Sequence, residues 1–200
     1  GRLDVLVCNA GIASKGDTFN SSVAQKTIAT NFAGTLHLVE AALPLMRSTG
    51  PGARIVFVSS RSGDIAKITS PALRERILGA SSSEDLSRLG EDFVVSVGDN
   101  TYSQKGWPKN SYSVSKILMS RLAEIVAQDP LNSGVTCNAC CPGWVRTDMG
   151  GASARLSAAE GADTPVWLAT TEAPEIAKTT GGFFAERRRL NFRSGFSGRM

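Results

Sequence analysis

Leu3-Asp4-Val5-Leu6-Val7-Cys8-Asn9-Ala10-Gly11 is a short apolar run that stops at an Asn-Ala-Gly turn. An apolar run bounded by turn residues reads as a buried strand delivering a turn. Two further stretches repeat the pattern. Arg54-Ile55-Val56-Phe57-Val58 ends at Ser59-Ser60, and Gly134 to Cys141 ends at Pro142-Gly143. Gly182-Phe183-Phe184 is a shorter candidate for a last strand. Between these runs the period changes. From Ser22 to Met46, the residues Phe32, Leu36, Val39, Leu43 and Met46 recur at three- and four-residue spacing, which predicts a helix broken by Gly50-Pro51-Gly52. A second helix is expected over Ser111 to Gln128, and a third through Thr164 to Ala169, beginning near Ser157. Strands alternating with helices imply an α/β fold, a doubly wound parallel sheet with helices on both faces.

The 200 residues suffice for one domain with a sizeable core. Hydrophobic residues make up 42% and charged residues 20%, the balance of a soluble globular chain. No apolar run reaches the roughly 20 residues of a bilayer span, so no membrane partner is expected. Gly1-Arg2-Leu3-Asp4 does not read as a signal peptide. Cys8, Cys137, Cys140 and Cys141 suit free thiols in a reducing, cytoplasmic setting rather than a disulfide framework. Cys137-x-x-Cys140 finds no second Cys or His pair, and His37 is the only histidine, so no metal site is expected.

The net charge is +4, with Arg187, Arg188, Arg189, Arg193 and Arg199 crowded near the end. Residues 186–200 therefore read as a basic tail with a solvated, partly frayed terminus. No aromatic-interleaved basic face accompanies it, so no nucleic-acid partner is expected. The stretch 61–109 carries serines, charges and weak helical pattern around Ala72–Leu78 and Glu84–Val97, and reads as a helical excursion within the same domain.

Tyr112-Ser113-Val114-Ser115-Lys116 places a phenol and an ammonium on one face of the second helix, one turn apart. A nearby ammonium favours the phenolate, and this predicts a Tyr112 pKa below the ordinary value of about 10. Such a phenol can trade protons near neutral pH. In open α/β sheets, ligands bind outside the carboxyl ends of the strands. Three strand ends here carry small polar or turn residues, and the Tyr112 helix lies between the second and third of them.

At these residues the chain resembles the short-chain dehydrogenases/reductases. The resemblance rests on Asn9-Ala10-Gly11, Asn31 in Thr30-Asn31-Phe32-Ala33-Gly34, Ser60, Tyr112-x-x-x-Lys116, and Pro142-Gly143 with Thr147, in family order. It is more specific at Asn138 to Met149 and at Lys105-Gly106-Trp107-Pro108, which look like the NADPH-dependent carbonyl reductase branch. The 52-residue step from Ser60 to Tyr112 suits the helical insert of that branch.

The resemblance implies a Rossmann-like fold and reduction of ketones, aldehydes or quinones by hydride transfer from NADPH. Tyr112 is then the general acid and Ser60 a hydrogen-bond donor to the substrate oxygen. Lys116 lowers the tyrosine's pKa and holds the nicotinamide ribose, while Asn31 fixes a water behind it. Asn9, Ala10 and Gly11 lie by the adenosine half of the cofactor. Pro142, Gly143, Val145 and Thr147, with Tyr112 and Lys116, hold its nicotinamide end. Trp144 walls the substrate pocket. The insert covers the surface on which typical members oligomerise, which implies a monomer.

The chain contains no strand, glycine-rich turn and helix for a pyrophosphate. Thr49-Gly50-Pro51-Gly52 precedes a strand instead of following one. Relative to the family, the first βαβαβ strands are lacking, so residues 1–185 read as the C-terminal part of a single domain. A fragment of a longer reductase is one expectation. A reductase of the same branch acting on a terpenoid or alkaloid ketone, and an inactive remnant with a binding role, are the alternatives.

Overall fold

The structure, a computed structural model, describes residues 1–14 and 18–196. Five strands form one sheet in the order β1-β2-β3-β4-β5: Val5–Cys8, Ala53–Val58, Val135–Cys141, Phe183–Ala185 and Arg188–Leu190. The first four are parallel, as the strand–helix alternation predicts, and β5 returns antiparallel to β4.

Strands alternating with period two let the sheet be covered on both faces, except at β1, which was expected to be buried but leaves Val5 and Val7 37% and 41% exposed at the sheet edge. Ile55, Phe57, Cys137, Ala139, Cys141 and Phe183 point into the larger core. Val56, Val58, Cys140 and Phe184 point the other way, onto Leu168 and Ala169 of α7 (Ala158–Thr170). The larger core is closed by α1 (Ser21–Ile28), α2 (Gly34–Thr49) and α6 (Ser111–Gln128).

The excursion forms α3 (Pro71–Gly79), α4 (Ser83–Gly98) and the single turn α5 (Tyr102–Lys105). Its apolar residues Leu73, Ile77, Leu86, Leu89 and Phe93 belong to the same core as the sheet. Ser82 and Asp85 close a capping box at the start of α4. A short helix, α8 (Pro174–Ala177), precedes β4.

Two features depart from the sequence reading. The helix expected from Ser22 to Met46 is interrupted by a π-helical stretch, Ala29–Ala33, in which the Gly34 N–H reaches back five residues to the Ala29 carbonyl. A π-turn inserts one residue into the α-helical rhythm and rotates side chains there.

The basic tail is the second. Residues 188–190 are strand β5, joined to β4 by a two-residue turn with Glu186 and Arg187 at φ 52° and 57°. Such primed turns favour Asn-Gly, and Glu-Arg carries no such signal. The strain is offset by contacts: the Arg187 N–H donates to Thr164 Oγ1 at 3.1 Å, and its guanidinium pairs with Asp163. Phe192 is buried. Arg199 lies outside the described residues.

Candidate active site

The carboxyl ends of β1, β2 and β3 meet the first turns of α6. Asn110 caps α6, its side chain accepting from the Ser113 N–H at 2.8 Å, and this fixes where Tyr112 leaves the helix. Ser60 follows β2 by two residues, and its hydroxyl lies near enough to the Tyr112 phenol to favour the phenolate. Ser60 Oγ also accepts from the Ser62 N–H at 3.0 Å, closing a tight turn. Gly63 completes that turn, donating to the Ser60 carbonyl at 2.9 Å. A Cβ on Gly63 would stand 2.7 Å from the Lys116 carbonyl carbon, so only glycine lets the turn lie flat on α6.

Lys116 is 3% exposed. Its ammonium donates to the Val58 carbonyl at 2.7 Å and lies 5.6 Å from the centroid of the Tyr112 ring. Burial lowers its pKa to about 8, with the neighbouring Cys140 and Cys141 pulling the other way.

Tyr112 does not behave as the pairing with Lys116 predicts. Burial raises its pKa above the ordinary value, the Ser60 hydroxyl opposes that rise, and Cys141 adds to it. Desolvation penalises the phenolate, and the ammonium is directed to a backbone carbonyl rather than to the phenolic oxygen.

Asn31 is fully buried in the π-helical stretch. Its carboxamide accepts from the Ile12 N–H at 2.7 Å and donates to the Ile12 carbonyl at 2.9 Å and to Ser115 Oγ at 3.0 Å. It therefore ties the turn after β1 to α6. A Cβ on Gly11 would lie 3.4 Å from Asn31 Oδ1 and 3.5 Å from Lys116 Nζ, so Gly11 is where these two side chains converge.

Asn9 and Ala10 are exposed at the end of β1, and Gly11 is half-buried. After β3, Pro142 is half-buried and Gly143 turns with φ 84°. Val145 bridges to Leu156. The exposed Thr147 hydroxyl accepts from the Gly150 N–H at 3.2 Å and stays within its own loop. Trp144 is 53% exposed, held by its indole N–H to the Gly150 carbonyl at 2.9 Å. It is not among the residues lining the cavity of about 380 Å³ beside Tyr112. That cavity is lined instead by Ser14, Phe19, Thr27, Lys109 and Ser111, among others. Sequence reasoning passed over these residues. The one signal was position: Ser14 follows the Asn-Ala-Gly turn, and Lys109 to Ser111 precede the tyrosine.

The cysteines are free and buried. Burial pushes the thiols of Cys8, Cys137 and Cys140 up to about 12. Cys137 and Cys140 lie on opposite faces of the sheet, so they cannot share a metal ion.

The short chain dehydrogenase family pattern matches residues 1–72. The human carbonyl reductase [NADPH] 1 is 39% identical over 196 residues, covering 94% of this chain and 69% of that protein. The bovine carbonyl reductase [NADPH] 1 is 39% identical over 198 residues, covering 95% and 70%. Among solved structures, salutaridine reductase from Papaver somniferum superposes with a TM-score of 0.82 at 22% identity, covering 92% of this chain and 73% of that one. An NADPH-bound carbonyl reductase from chicken fatty liver gives 0.62 at 24% identity, covering 92% and 63%. Both share the fold. The sequence identity, sustained over nearly the whole chain, shows more: the chain belongs to the short-chain dehydrogenases/reductases, in their carbonyl reductase branch.

Proposed function

We propose that this chain carries the proton-transfer half of an NADPH-dependent carbonyl reductase acting on ketones, aldehydes or quinones. The observation that carries the reading is the convergence of Tyr112 and the buried ammonium of Lys116 on the end of β2, where Ser60 follows. The phenol of Tyr112 gives its proton to the substrate oxygen as that oxygen gains charge. Burial keeps the phenol protonated and makes it a weaker acid in the resting site, so the transfer is driven by the charge that develops on the substrate oxygen. Ser60 donates a second hydrogen bond to the same oxygen. Asn31 holds the turn after β1 in place.

The residues fit the nicotinamide end of the cofactor. Lys116 brings a cation beside Tyr112, and the ledge from Pro142 to Thr147 is open at the same sheet edge. NADPH supplies the hydride when bound. Lys116, Pro142, Gly143, Val145 and Thr147 would hold its nicotinamide ribose end, and Asn9, Ala10 and Gly11 its adenosine side. Trp144 would border the substrate from the loop after β3.

The α3–α5 insert packs against α1 and α6 in the common core, which supports a monomer; light scattering that gives a dimer mass would count against it. Four buried free thiols support a reducing, cytoplasmic setting. Among the described residues, no helix is long and apolar enough to cross a membrane. The function is tested by following NADPH oxidation with a simple quinone by the full-length protein; absence of turnover by that folded protein refutes it.

A further inference from the structure

The segment after β5 is tied to α6 at Glu124 and ends at Asp64, just past the turn that carries Ser60. It is anchored first at Phe192, which is 4% exposed, and at Arg193, whose guanidinium reaches Glu124 of α6 at 3.2 Å. Asn191 Oδ1 accepts the Arg193 and Ser194 N–H groups at 3.0 and 3.3 Å, folding the segment back on itself. Gly195, at φ 84°, then turns the chain so that the Phe196 ring returns beside Phe192, with centroids 6.3 Å apart. There the Phe196 ring packs on Phe183, with centroids 4.4 Å apart. Its N–H donates to Asp64 Oδ1 at 3.2 Å. The same oxygen accepts from Ala66 at 2.9 Å and caps the 3-10 turn Ile65–Lys67, Asp64 itself lying four residues after Ser60.

We infer that Phe192–Phe196 is a positioning strap for the Ser60 turn. Ser60 sits in a tight turn pressed on α6 through Gly63. That turn is held to the helix at Gly63 and to Lys67, whose ammonium donates to the Ser62 carbonyl at 2.9 Å, and Lys67 stands in the 3-10 turn that Asp64 caps and the strap secures. An exposed turn without such a tie opens readily and samples several conformations. A hydrogen-bond donor must stay within a fraction of an ångström of its working position to stabilise developing charge.

Hydrogen exchange on the 200-residue protein tests this, together with kinetics. A Cβ on Gly195 would stand 2.9 Å from Asp64 Oδ1 and 3.0 Å from the Ala66 Cβ, so Gly195→Ala lifts the strap off Asp64 without removing an apolar group. A chain stopped after Asn191 removes the strap, and one stopped after Phe196 is its control. The amides of Gly63, Ala66 and Lys67 should exchange about tenfold faster in Gly195→Ala and in the shorter chain, with β2, β3 and the control unchanged. In quinone reduction, kcat should fall several-fold in Gly195→Ala and Asp64→Ala while KM holds. Asp64→Asn keeps the accepting oxygen and should restore kcat.

Unchanged exchange at those three amides overturns the strap. So does an increase spread evenly over the sheet, or one already present in the control. A local increase with kcat unchanged overturns the positioning role. The kinetic arm rests on the reductase reading. If the unaltered full-length protein reduces no quinone, that reading fails, and the exchange arm still decides the strap.

Discussion

The ammonium of Lys116 donates to the carbonyl oxygen of Val58 at 2.7 Å, tying α6 to the last residue of β2. The next two residues of the chain are tied to the same helix. Ser59 Oγ lies 3.0 Å from the Lys116 carbonyl and 2.7 Å from Ser120 Oγ, and Ser60 meets the Tyr112 phenol. Two successive residues at one strand end are thus hydrogen-bonded to one helix, and the third lies beside its tyrosine. The spacing of Tyr112, Lys116 and Ser120 at four-residue steps makes that possible.

Replacing Tyr112 by Phe removes the proton donor and leaves the ring. Quinone reduction, followed as NADPH absorbance, should fall at least about a thousandfold, the scale of a positioned acid. Thermal unfolding should barely move. A rate within tenfold of the unaltered protein counts against Tyr112 as the acid.

Lys116 makes stability depend on pH. Its folded pKa of about 8 lies below the unfolded value of 10.5, so between these values the unfolded chain binds more protons and stability rises with pH. The buried thiols act oppositely from about pH 9 upward, because their folded values of about 12 lie above the unfolded 9.0. The clean window is therefore pH 7 to 9. Across it, the protein should gain on the order of 1 kcal/mol relative to Lys116→Met. Urea unfolding midpoints at the two pH values measure it, and a constant difference argues against a buried ammonium.

Gly63→Ala forces a methyl group to within 2.7–2.9 Å of the α6 backbone at Lys116 and Ile117. The turn must lift, carrying Ser60 with it. A loss of about 1–3 kcal/mol in stability is expected from overpacking. Turnover should fall further than the loss of folded protein explains. Calorimetry and kinetics on the same sample separate the two effects.

Asn31→Ala leaves the Ile12 N–H and C=O without their partner. The expected cost is about 1–3 kcal/mol, from the unpaired backbone groups. Exchange of the Ile12 amide should speed up more than that of the core strands. If the Ile12 amide stays protected, the tie assigned to Asn31 is wrong.

Strand ends and helix faces were legible in this chain because period-two and period-3.6 burial leave a direct mark on residue order. Ile55 and Phe57 fall on one face of the sheet and Val56 and Val58 on the other, as the apolar run requires. Tyr112 and Lys116 were legible because a helix fixes their separation. The π-helical stretch at Asn31 was not, since one inserted residue leaves the apolar spacing nearly intact. Nor was the β4–β5 turn at Glu186 and Arg187. Its left-handed backbone is held by Thr164 and Asp163, which lie more than twenty residues away.

The sequence by itself determined that a parallel sheet presents Asn9-Ala10-Gly11, Ser59-Ser60 and Pro142-Gly143 at one edge, beside a helix bearing Tyr112 and Lys116. These are local properties, set by side-chain period and turn chemistry. Only the tertiary structure decided the sign of the Tyr112 pKa shift, the partner of the Lys116 ammonium and the docking of Phe196 at Asp64, just past the Ser60 turn. Each depends on burial and on contacts between residues distant in the chain, and neither is written in local order.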